Sequence, residues 1–338
     1  MTAVEGFDVE TLTVSFPDAP AWDESVRARR WAEACGATHH EVPMTGPDML
    51  GVVADAMRSQ DQPTVDAVNT LIVSRAARDA GLTVVLSGLG GDELFGGYGT
   101  FRDVPRARSI RRSALGLGRP LAAALGAFRS PWDARPAKLV DFLRAPADLA
   151  SLYAVRRRLF TPNQLERLTP SLPIASDGAR LASQMPAALD ARDAVSWLEA
   201  TVYMRNQLLR DTDAMGMACS IEIRPPFLDQ RFARAAWDGG PAWRDGKRRF
   251  VKALGRGVPA DILEEPKRGF TLPFNAWLGG SLRDEVRERL HKLPQVFEAG
   301  AVDALWQRFL AAPARVGWGR PWSLYVLATY VEQHGLAL

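Results

Sequence analysis

The first hundred residues alternate short apolar runs with amphipathic helical segments. The strand-like runs are "TLTVSF" (11–16), "THHEVPM" (38–44) and "LTVVLSG" (82–88), and the helical ones are "DESVRARRWAEACG" (23–36) and "NTLIVSRAARDAG" (69–81). Both helical segments end at a glycine, the residue that most often terminates a helix. Strands separated by helices of this length pair in parallel through right-handed crossovers. The pattern predicts an α/β core, built on a parallel sheet, in residues 1–101.

The remainder of the chain, residues 102–338, has a different composition. Runs of β-branched residues disappear, while Ala, Leu, Arg and Pro dominate. Helical spacing is found in "RPLAAALGAF" (119–128), "PADLASLYAVRRRLF" (146–160), "DAVSWLEATVYMRNQLLRDTDAMGMA" (193–218) and "PWSLYVLATYVEQHGLAL" (321–338), with prolines between these segments. We therefore expect a mainly helical region after residue 101.

Composition excludes several classes of protein. A hydrophobic fraction of 47% in 338 residues is typical of a packed globular protein. No stretch approaches eighteen consecutive apolar residues and no leader is visible, so we expect a cytoplasmic protein with no membrane span. The net charge of +3 is small, and the arginine-rich run 102–112 lacks the interleaved aromatics of a nucleic-acid surface. Cys35 and Cys219 have no second ligand nearby in sequence, so we expect two buried thiols.

The stretch "VVLSGLGGDELFGGY", Val84–Tyr98, concentrates the unusual chemistry of the chain. An apolar run, interpreted as a buried strand, ends at Ser87, and five of the next eleven residues are glycine. Bare backbone amides of this kind can form an anion-binding concavity. Asp92 would repel a phosphate unless a divalent cation lay between them, and Mg²⁺ is commonly held by one or two carboxylates plus substrate phosphates. The alternative is a glycine turn that merely lets a helix pack closely on its strand.

Six segments, in order, resemble the synthetase domain of glutamine-hydrolysing asparagine synthetases. "SGLGGDELFGGY" (87–98) resembles the family segment "SGxGGDExFGGY", and "TLTVSF" resembles the strand that lines the adenine pocket. The other four are "GATHHEV" (36–42), "QDQPTVDAVNTLIVSRAARDAG" (60–81), "NQLLRDTDAMGMACSIEIRPPFLD" (206–229) and "LEEPKRGFTLPFNAWL" (263–278). The resemblance covers nearly the whole chain.

This resemblance implies an ATP-pyrophosphatase fold and an amide-forming ligase that uses ATP and Mg²⁺. An aspartate side chain would attack the α-phosphate of ATP, pyrophosphate would leave, and ammonia would then displace AMP to give asparagine. The roles implied are nucleotide contacts for Val14, Ser87, Gly88 and Gly90, a magnesium-holding catalytic role for Asp92, and a catalytic point charge for Lys267. Without the resemblance, Lys267 would be interpreted as a surface partner of Glu264 or Glu265.

The chain also departs from the family pattern. The "SGGxDSS" pyrophosphate loop expected before "TLTVSF" is missing, as is the amino-terminal glutaminase domain, since residue 2 is Thr2. We therefore expect a core that is incomplete at its N-terminus, with parallel-strand backbone groups left unpaired. Leu89 stands where asparagine-forming members carry a glutamate, and leucine cannot accept a proton.

Three functions stay open at this point. The first is the synthetase part of an asparagine synthase, acting on a small-molecule acid and ammonia, with a separate glutaminase chain or domain as partner. The second is a non-catalytic remnant or scaffold subunit of the same fold. The third is an adenylating ligase for another acid, such as a β-lactam or lasso-peptide cyclase. A homodimer is compatible with each of them.

Overall fold

The chain divides by its contacts into two compact units. The computed structural model describes residues 8–113, 118–126, 130–239, 250, 252 and 272–337. The first unit comprises residues 1–97 and 204–273, and the second comprises residues 98–203 and 274–338. These units are defined by contacts and are not a test of the domain boundary. The expected boundary between residues 101 and 102 stays a prediction.

The described residues contain four short strands and many helices. The strands are β1 Glu10–Ser15, β2 Thr38–Pro43, β3 Val84–Leu86 and β4 Glu222–Arg224. The α-helices are α1 Ser25–Cys35, α2 Met49–Ser59, α3 Ala67–Asp79, α4 Gly91–Phe95, α5 Thr100–Ser113, α6 Gly118–Gly126, α7 Ala134–Arg144, α8 Leu149–Arg157, α9 Pro162–Leu168, α10 Asp177–Gln184, α11 Ala191–Leu198, α12 Leu209–Ala218, α13 Gln230–Asp238, α14 Phe274–Gly279, α15 Arg283–Leu290, α16 Ala299–Ala311, α17 Pro313–Val316 and α18 Gly319–His334. A π-helix, Glu199–Leu208, joins α11 to α12, and a 3₁₀ turn covers Pro226–Leu228.

The first unit confirms the alternation that the sequence predicted. β1, α1, β2, α3 and β3 lie where the pattern placed them, and α1 ends at Gly36 in the left-handed conformation, with φ of 66°. β1 pairs with β2 in parallel, so that Val14 lies opposite Val42. β3 pairs with β4, also in parallel, with Leu86 opposite Arg224. The parallel pairing is confirmed, and β4 is the one strand after residue 101 among the residues that the structure describes.

The interpretation of β3 as a buried strand is wrong. Val84 is 40% exposed and Leu86 is 70% exposed. Within the described residues the strands form two separate two-stranded sheets, β1 with β2 and β3 with β4. A parallel strand is buried on both faces only when neighbouring strands and helices cover it. β3 has three residues and a single partner strand, so its apolar side chains remain at the surface.

Helices bury the apolar side chains of the first unit. On α2 the residues Met49, Val53 and Ala56 are at most 2% exposed, and on α3 Val68, Leu71 and Ile72 are equally buried. Their spacing of three and four residues gives each helix one apolar stripe. The core of this unit therefore lies where α3 packs against α2 and β1.

The second unit is helical within the described residues. Its principal core joins α5, α8, α10 and α11 through the buried side chains of Val104, Leu149, Leu152, Tyr153, Leu181, Val195 and Leu198. Asp148 begins α8 by accepting a hydrogen bond from the Ser151 amide at 2.8 Å. A Cβ on Gly178 would lie 2.8 Å from the Ser151 Cα, so α10 packs backbone to backbone on α8. The prediction of helices in this region is confirmed.

Two smaller expectations have different outcomes. Cys219 is buried as expected, whereas Cys35 is only partly buried, and both thiols are free. No helix in the part of the chain that the structure describes is both long and apolar enough to cross a membrane.

Candidate functional site

The glycine turn after β3 is held in place by its own backbone. The Ser87 amide donates to the Arg224 carbonyl of β4 at 2.9 Å, which anchors the start of the turn. The Ser87 hydroxyl accepts from the Leu89 amide at 3.3 Å, and the Gly91 amide donates to the Gly88 carbonyl at 3.3 Å. The turn leads directly into α4. Ser87, Gly88, Gly90 and Asp92 therefore lie together in one ordered connection between strand and helix.

Gly88 and Gly90 meet different surroundings within this turn. Gly90 has φ of 89°, and a Cβ there would overlap the Leu228 side chain and approach the Phe227 Cβ to 3.3 Å. Gly88 is exposed, and a Cβ there would meet nothing within 4 Å. Among the described residues neither amide has a hydrogen-bond acceptor. Gly90 is therefore required by the fold, while Gly88 presents open backbone on which a ligand can lie.

This difference gives a prediction for a pair of matched variants. Gly90→Ala is expected to lower the free energy of unfolding by about 1–3 kcal/mol, because it combines a left-handed backbone with overpacking. Gly88→Ala is expected to leave stability within about 0.5 kcal/mol of the parent. Urea unfolding of the parent and both variants measures these changes in the free energy of unfolding. Equal losses would contradict the assignment of Gly88 to open space.

Asp92 lies in the first turn of α4 and is partly buried. A Cβ on Gly97 would lie 2.7 Å from the Asp92 Cγ, so the carboxylate rests against the Gly97 backbone. Gly97 donates its amide to the Asp92 carbonyl at 2.9 Å, which closes this short helix. Gly97 therefore makes room for the Asp92 carboxylate and fixes its position.

The donor set fits a magnesium ion that is shared with a phosphate. No group of three or more His, Cys, Asp or Glu side chains that could hold a metal occurs among the described residues. Mg²⁺ commonly takes only one or two carboxylates from a protein and the rest of its ligands from substrate phosphates and water. Asp92, four residues after the open backbone of Gly88, suits this arrangement.

Val14 and Lys267 do not join this turn in the described structure. Val14 lies on β1, in the other sheet of the same unit, and is only 4% exposed. Lys267 lies outside the described residues. The structure therefore brings together Ser87, Gly88, Gly90 and Asp92, and the roles of Val14 and Lys267 stay predictions.

An aromatic cluster that the sequence interpretation missed supports the turn. Phe95 of α4 is 1% exposed and stacks on Phe250 with ring centroids 4.8 Å apart. It also meets Phe227 and Phe232 edge to face, at 6.1 and 6.2 Å. Edge-to-face and offset pairs stabilise such packing beyond the area they bury. Phe95 is distant in the sequence from the other three rings, so no local pattern could have joined it to them.

A buried charged network in the second unit was also missed. Glu199, at 0% exposure, opens the π-helix and accepts hydrogen bonds from Thr100, Tyr153 and both Nε and Nη2 of Arg157. The Arg157 guanidinium lies 4.0 Å from the Tyr203 ring centroid and 4.8 Å from that of Tyr98. Burial, and after it the Glu199 charge, raises the pKa of Tyr153. Tyr98 ends the glycine motif, so this network fixes its last residue.

A third missed group is Asp211 on α12, in the first unit. Asp211 is 3% exposed and accepts a hydrogen bond from the Thr64 hydroxyl at 2.9 Å. Burial raises the pKa of Asp211 to about 7, against the opposing effect of that hydrogen bond. Both residues belong to segments that the family resemblance includes, yet nothing in their spacing indicates that they touch.

Comparison with known proteins identifies the family of this chain. The model of the asparagine synthase family matches residues 1–332. A Mycobacterium tuberculosis protein named "Putative asparagine synthetase [glutamine-hydrolyzing]" is 30% identical over 73% of this chain and 38% of its own. Asparagine synthetase [glutamine-hydrolyzing] 1 of Bacillus subtilis is 25% identical over 82% and 45%. Amidase chry2 of Gibberella zeae is 24% identical over 88% and 48%.

This chain spans less than half the length of each of these relatives. The family match nevertheless extends over nearly all of its residues, including the turn at Ser87–Asp92. The chain belongs to the asparagine synthase family.

Proposed function

We propose that this chain is the synthetase part of an ATP-dependent ligase that forms a carboxamide, with aspartate and ammonia as substrates and asparagine as product. The observation that carries the proposal is the open backbone at Gly88, followed four residues later by the Asp92 carboxylate. Exposed amides attract a phosphate, and a carboxylate beside them suits a bridging cation. An ATP-pyrophosphatase type of core and a cytoplasmic location are parts of the same proposal.

The proposed reaction has two steps. A side-chain oxygen of aspartate forms a bond to the α-phosphorus of ATP, and the bond to pyrophosphate breaks. Ammonia then attacks the acyl carbon, AMP leaves with the electron pair of the acyl–oxygen bond, and the nitrogen loses a proton. Such transfers depend mainly on positioning and on stabilising charge.

Each predicted residue has a place in this scheme. Ser87, Gly88 and Gly90 would hold the phosphates through backbone and hydroxyl groups, and Asp92 would hold Mg²⁺, which would neutralise phosphate charge. Val14 would contact the adenine. Lys267 would place a positive charge against the reacting phosphate.

The source of ammonia is a further part of the proposal. Two of the relatives named above carry glutamine hydrolysis in their names, and this chain spans less than half of either. A glutaminase chain or domain would therefore supply ammonia to the synthetase part. Assays of the present chain can use an ammonium salt instead.

The experiment is substrate-dependent release of pyrophosphate by the chain supplied with Mg-ATP, aspartate and an ammonium salt. Asp92→Asn is expected to reduce the rate by at least about 100-fold, the usual cost of losing one electrostatic stabiliser. Asp61→Asn is the matched control, because Asp61 lies on the surface of the same unit, paired with Arg210. Unchanged release in Asp92→Asn would remove the magnesium role from this residue.

A second candidate is ligation of a different acid. Leu89 occupies the place of a proton-accepting glutamate, and relatives named as amidases match 88% of this chain. Pyrophosphate release with each of a panel of carboxylic acids separates the two candidates. Release with aspartate alone favours asparagine formation, and release with another acid alone favours the second candidate, including β-lactam or lasso-peptide cyclisation.

A third candidate is a non-catalytic subunit, favoured by the exposed strand β3 and by the division of the described strands into two small sheets. It predicts that the chain forms no AMP with any acid and gains no thermal stability from Mg-ATP. AMP formation by this chain would rule it out.

A further inference from the structure

The glycine turn that is proposed to hold phosphate has no positive side chain of its own. Between Ser87 and Tyr98 the charged residues are Asp92 and Glu93, and both are acidic. Backbone amides and one magnesium ion neutralise only part of the charge of a triphosphate. Arginine is the side chain whose shape best matches a phosphate group. An arginine from another segment of the first unit would therefore complete the site.

Arg224 of β4 lies directly beside this turn. Its carbonyl accepts a hydrogen bond from the Ser87 amide at 2.9 Å, and it is the register partner of Leu86. Neighbouring strands are about 4.8 Å apart, which is less than the length of an extended arginine side chain. Because β3 and β4 are parallel, the carboxyl end of β4 lies at the edge of the sheet where the turn begins.

The segment that follows β4 keeps Arg224 at this edge. A Cβ on Gly90 would overlap the Leu228 side chain and lie 3.3 Å from the Phe227 Cβ. Residues 224–228 therefore run alongside residues 87–90, in contact with both the start and the middle of the turn. The backbone that carries Arg224 is held against the turn at two points.

The side chain of Arg224 lies on an open face of the small sheet. Register partners on neighbouring strands point to the same face, so Arg224 shares its face with Leu86. Leu86 is 70% exposed, and the Arg224 side chain is 59% exposed. The guanidinium is therefore accessible to a ligand that lies on the turn.

The guanidinium is held by Glu222, two residues earlier on the same strand. The Arg224 Nε donates to the Glu222 Oε1 at 2.7 Å, and the Nη2 donates to the Oε2 at 3.0 Å. Both side chains are more than half exposed, and exposed ion pairs of this kind contribute little to stability. A phosphate accepts the same pair of parallel hydrogen bonds from arginine, so it can replace Glu222 at small cost.

We propose that Arg224 is a phosphate-binding residue of the same site as the Gly88 backbone and Asp92, an inference that rests on the proposed function. When the nucleotide binds, the guanidinium leaves Glu222 and donates two hydrogen bonds to the oxygens of one phosphate group. Glu222 competes with the nucleotide for the guanidinium. The two members of this ion pair therefore have opposite effects on the affinity for the nucleotide.

The test is isothermal titration of the 338-residue chain with Mg²⁺ and adenosine 5′-(α,β-methylene)triphosphate, an analogue that cannot release pyrophosphate. Arg224→Gln is expected to weaken binding at least about tenfold, and Arg224→Lys, which keeps the charge, is expected to weaken it less. Glu222→Gln is expected to bind at least as tightly as the parent, because it releases the guanidinium. Arg29→Gln is the control and should bind as the parent does, since Arg29 pairs with Glu41 of β2, in the other sheet of the same unit.

The outcomes separate this inference from the proposed function. Parental binding by Arg224→Gln would overturn the inference and leave the proposed function intact. Similar losses in Arg224→Gln and Glu222→Gln would show that the ion pair only braces the strand, which would also overturn the inference. A parent chain that does not bind the nucleotide would contradict the proposed function itself, and the inference with it. Thermal unfolding checks that each variant is folded.

Discussion

Replacing Glu199 by glutamine is expected to lower the free energy of unfolding by about 3–5 kcal/mol, the usual cost of leaving one partner of a buried ion pair without its counter-charge. Glu199 has no exposed surface and is held by Arg157, Tyr153 and Thr100. Glutamine has nearly the same shape, so the loss would come from charge rather than from a cavity. The guanidinium of Arg157, three-quarters buried, would then lack a carboxylate.

Chemical unfolding of the parent and of two further variants makes this measurement specific. Glu288→Gln breaks an exposed pair with Lys292 and is expected to leave stability unchanged, because exposed pairs contribute little. Combining Glu199→Gln with Arg157→Gln removes both charges, so the double variant is expected to lose less than the sum of the single losses. A loss in Glu199→Gln no larger than that of Glu288→Gln would show that the network does not hold the second unit together.

The second large effect is expected at Asp211, where a substitution stabilises the protein. Its pKa is about 7 in the folded state, and an unfolded aspartate has a pKa of about 3.9. Between these values the folded state binds a proton that the unfolded state has lost, so stability falls as pH rises from about 4 to about 7. Asp211→Asn removes this penalty while an amide oxygen can still accept from Thr64. The gain at pH 8 is expected to be about 3–4 kcal/mol.

Urea unfolding of the parent and Asp211→Asn at pH 5 and pH 8 tests this. The difference between the two proteins is expected to be small at pH 5, about 1–2 kcal/mol, and to grow toward pH 8. Asp238→Asn, at the exposed end of α13 in the same unit, provides the control for a general effect of lost charge. A pH-independent difference, or a less stable variant at pH 8, would contradict the assignment of a buried, proton-binding Asp211.

Local sequence patterns predicted the elements that depend on local causes. The end of α1 at Gly36 follows from the conformational freedom of one residue, and the strand at Glu10–Ser15 follows from an apolar run. β4 was not predicted, because three residues become a strand only through pairing with β3, more than a hundred residues earlier in the chain. The exposure of Leu86 was missed for the same reason, since cover from neighbouring elements is not a property of the run itself.

In the candidate site, too, the local features could be predicted and the contacts between distant segments could not. Ser87 to Asp92 are contiguous, so their proximity needed no knowledge of the fold. The structural role of Gly90 could not be predicted. The side chain that leaves no room for a Cβ at this position is Leu228, which is distant in the sequence. The partners of Glu199 and Asp211 are likewise distant in sequence, from 42 residues for Arg157 to 147 for Thr64. Buried polar residues of this kind become visible only when tertiary neighbours are known.

The proposed function depends on the turn between β3 and α4 holding the phosphates of ATP. The most direct measurement is a crystal structure of the chain with Mg²⁺ and a nonhydrolysable ATP analogue. We expect the phosphates to lie against the backbone of residues 87–91, with the metal ion bound to an Asp92 oxygen at about 2.1 Å. A nucleotide bound elsewhere, with the Gly88 amide and the Asp92 carboxylate uninvolved, would contradict the proposed ATP site.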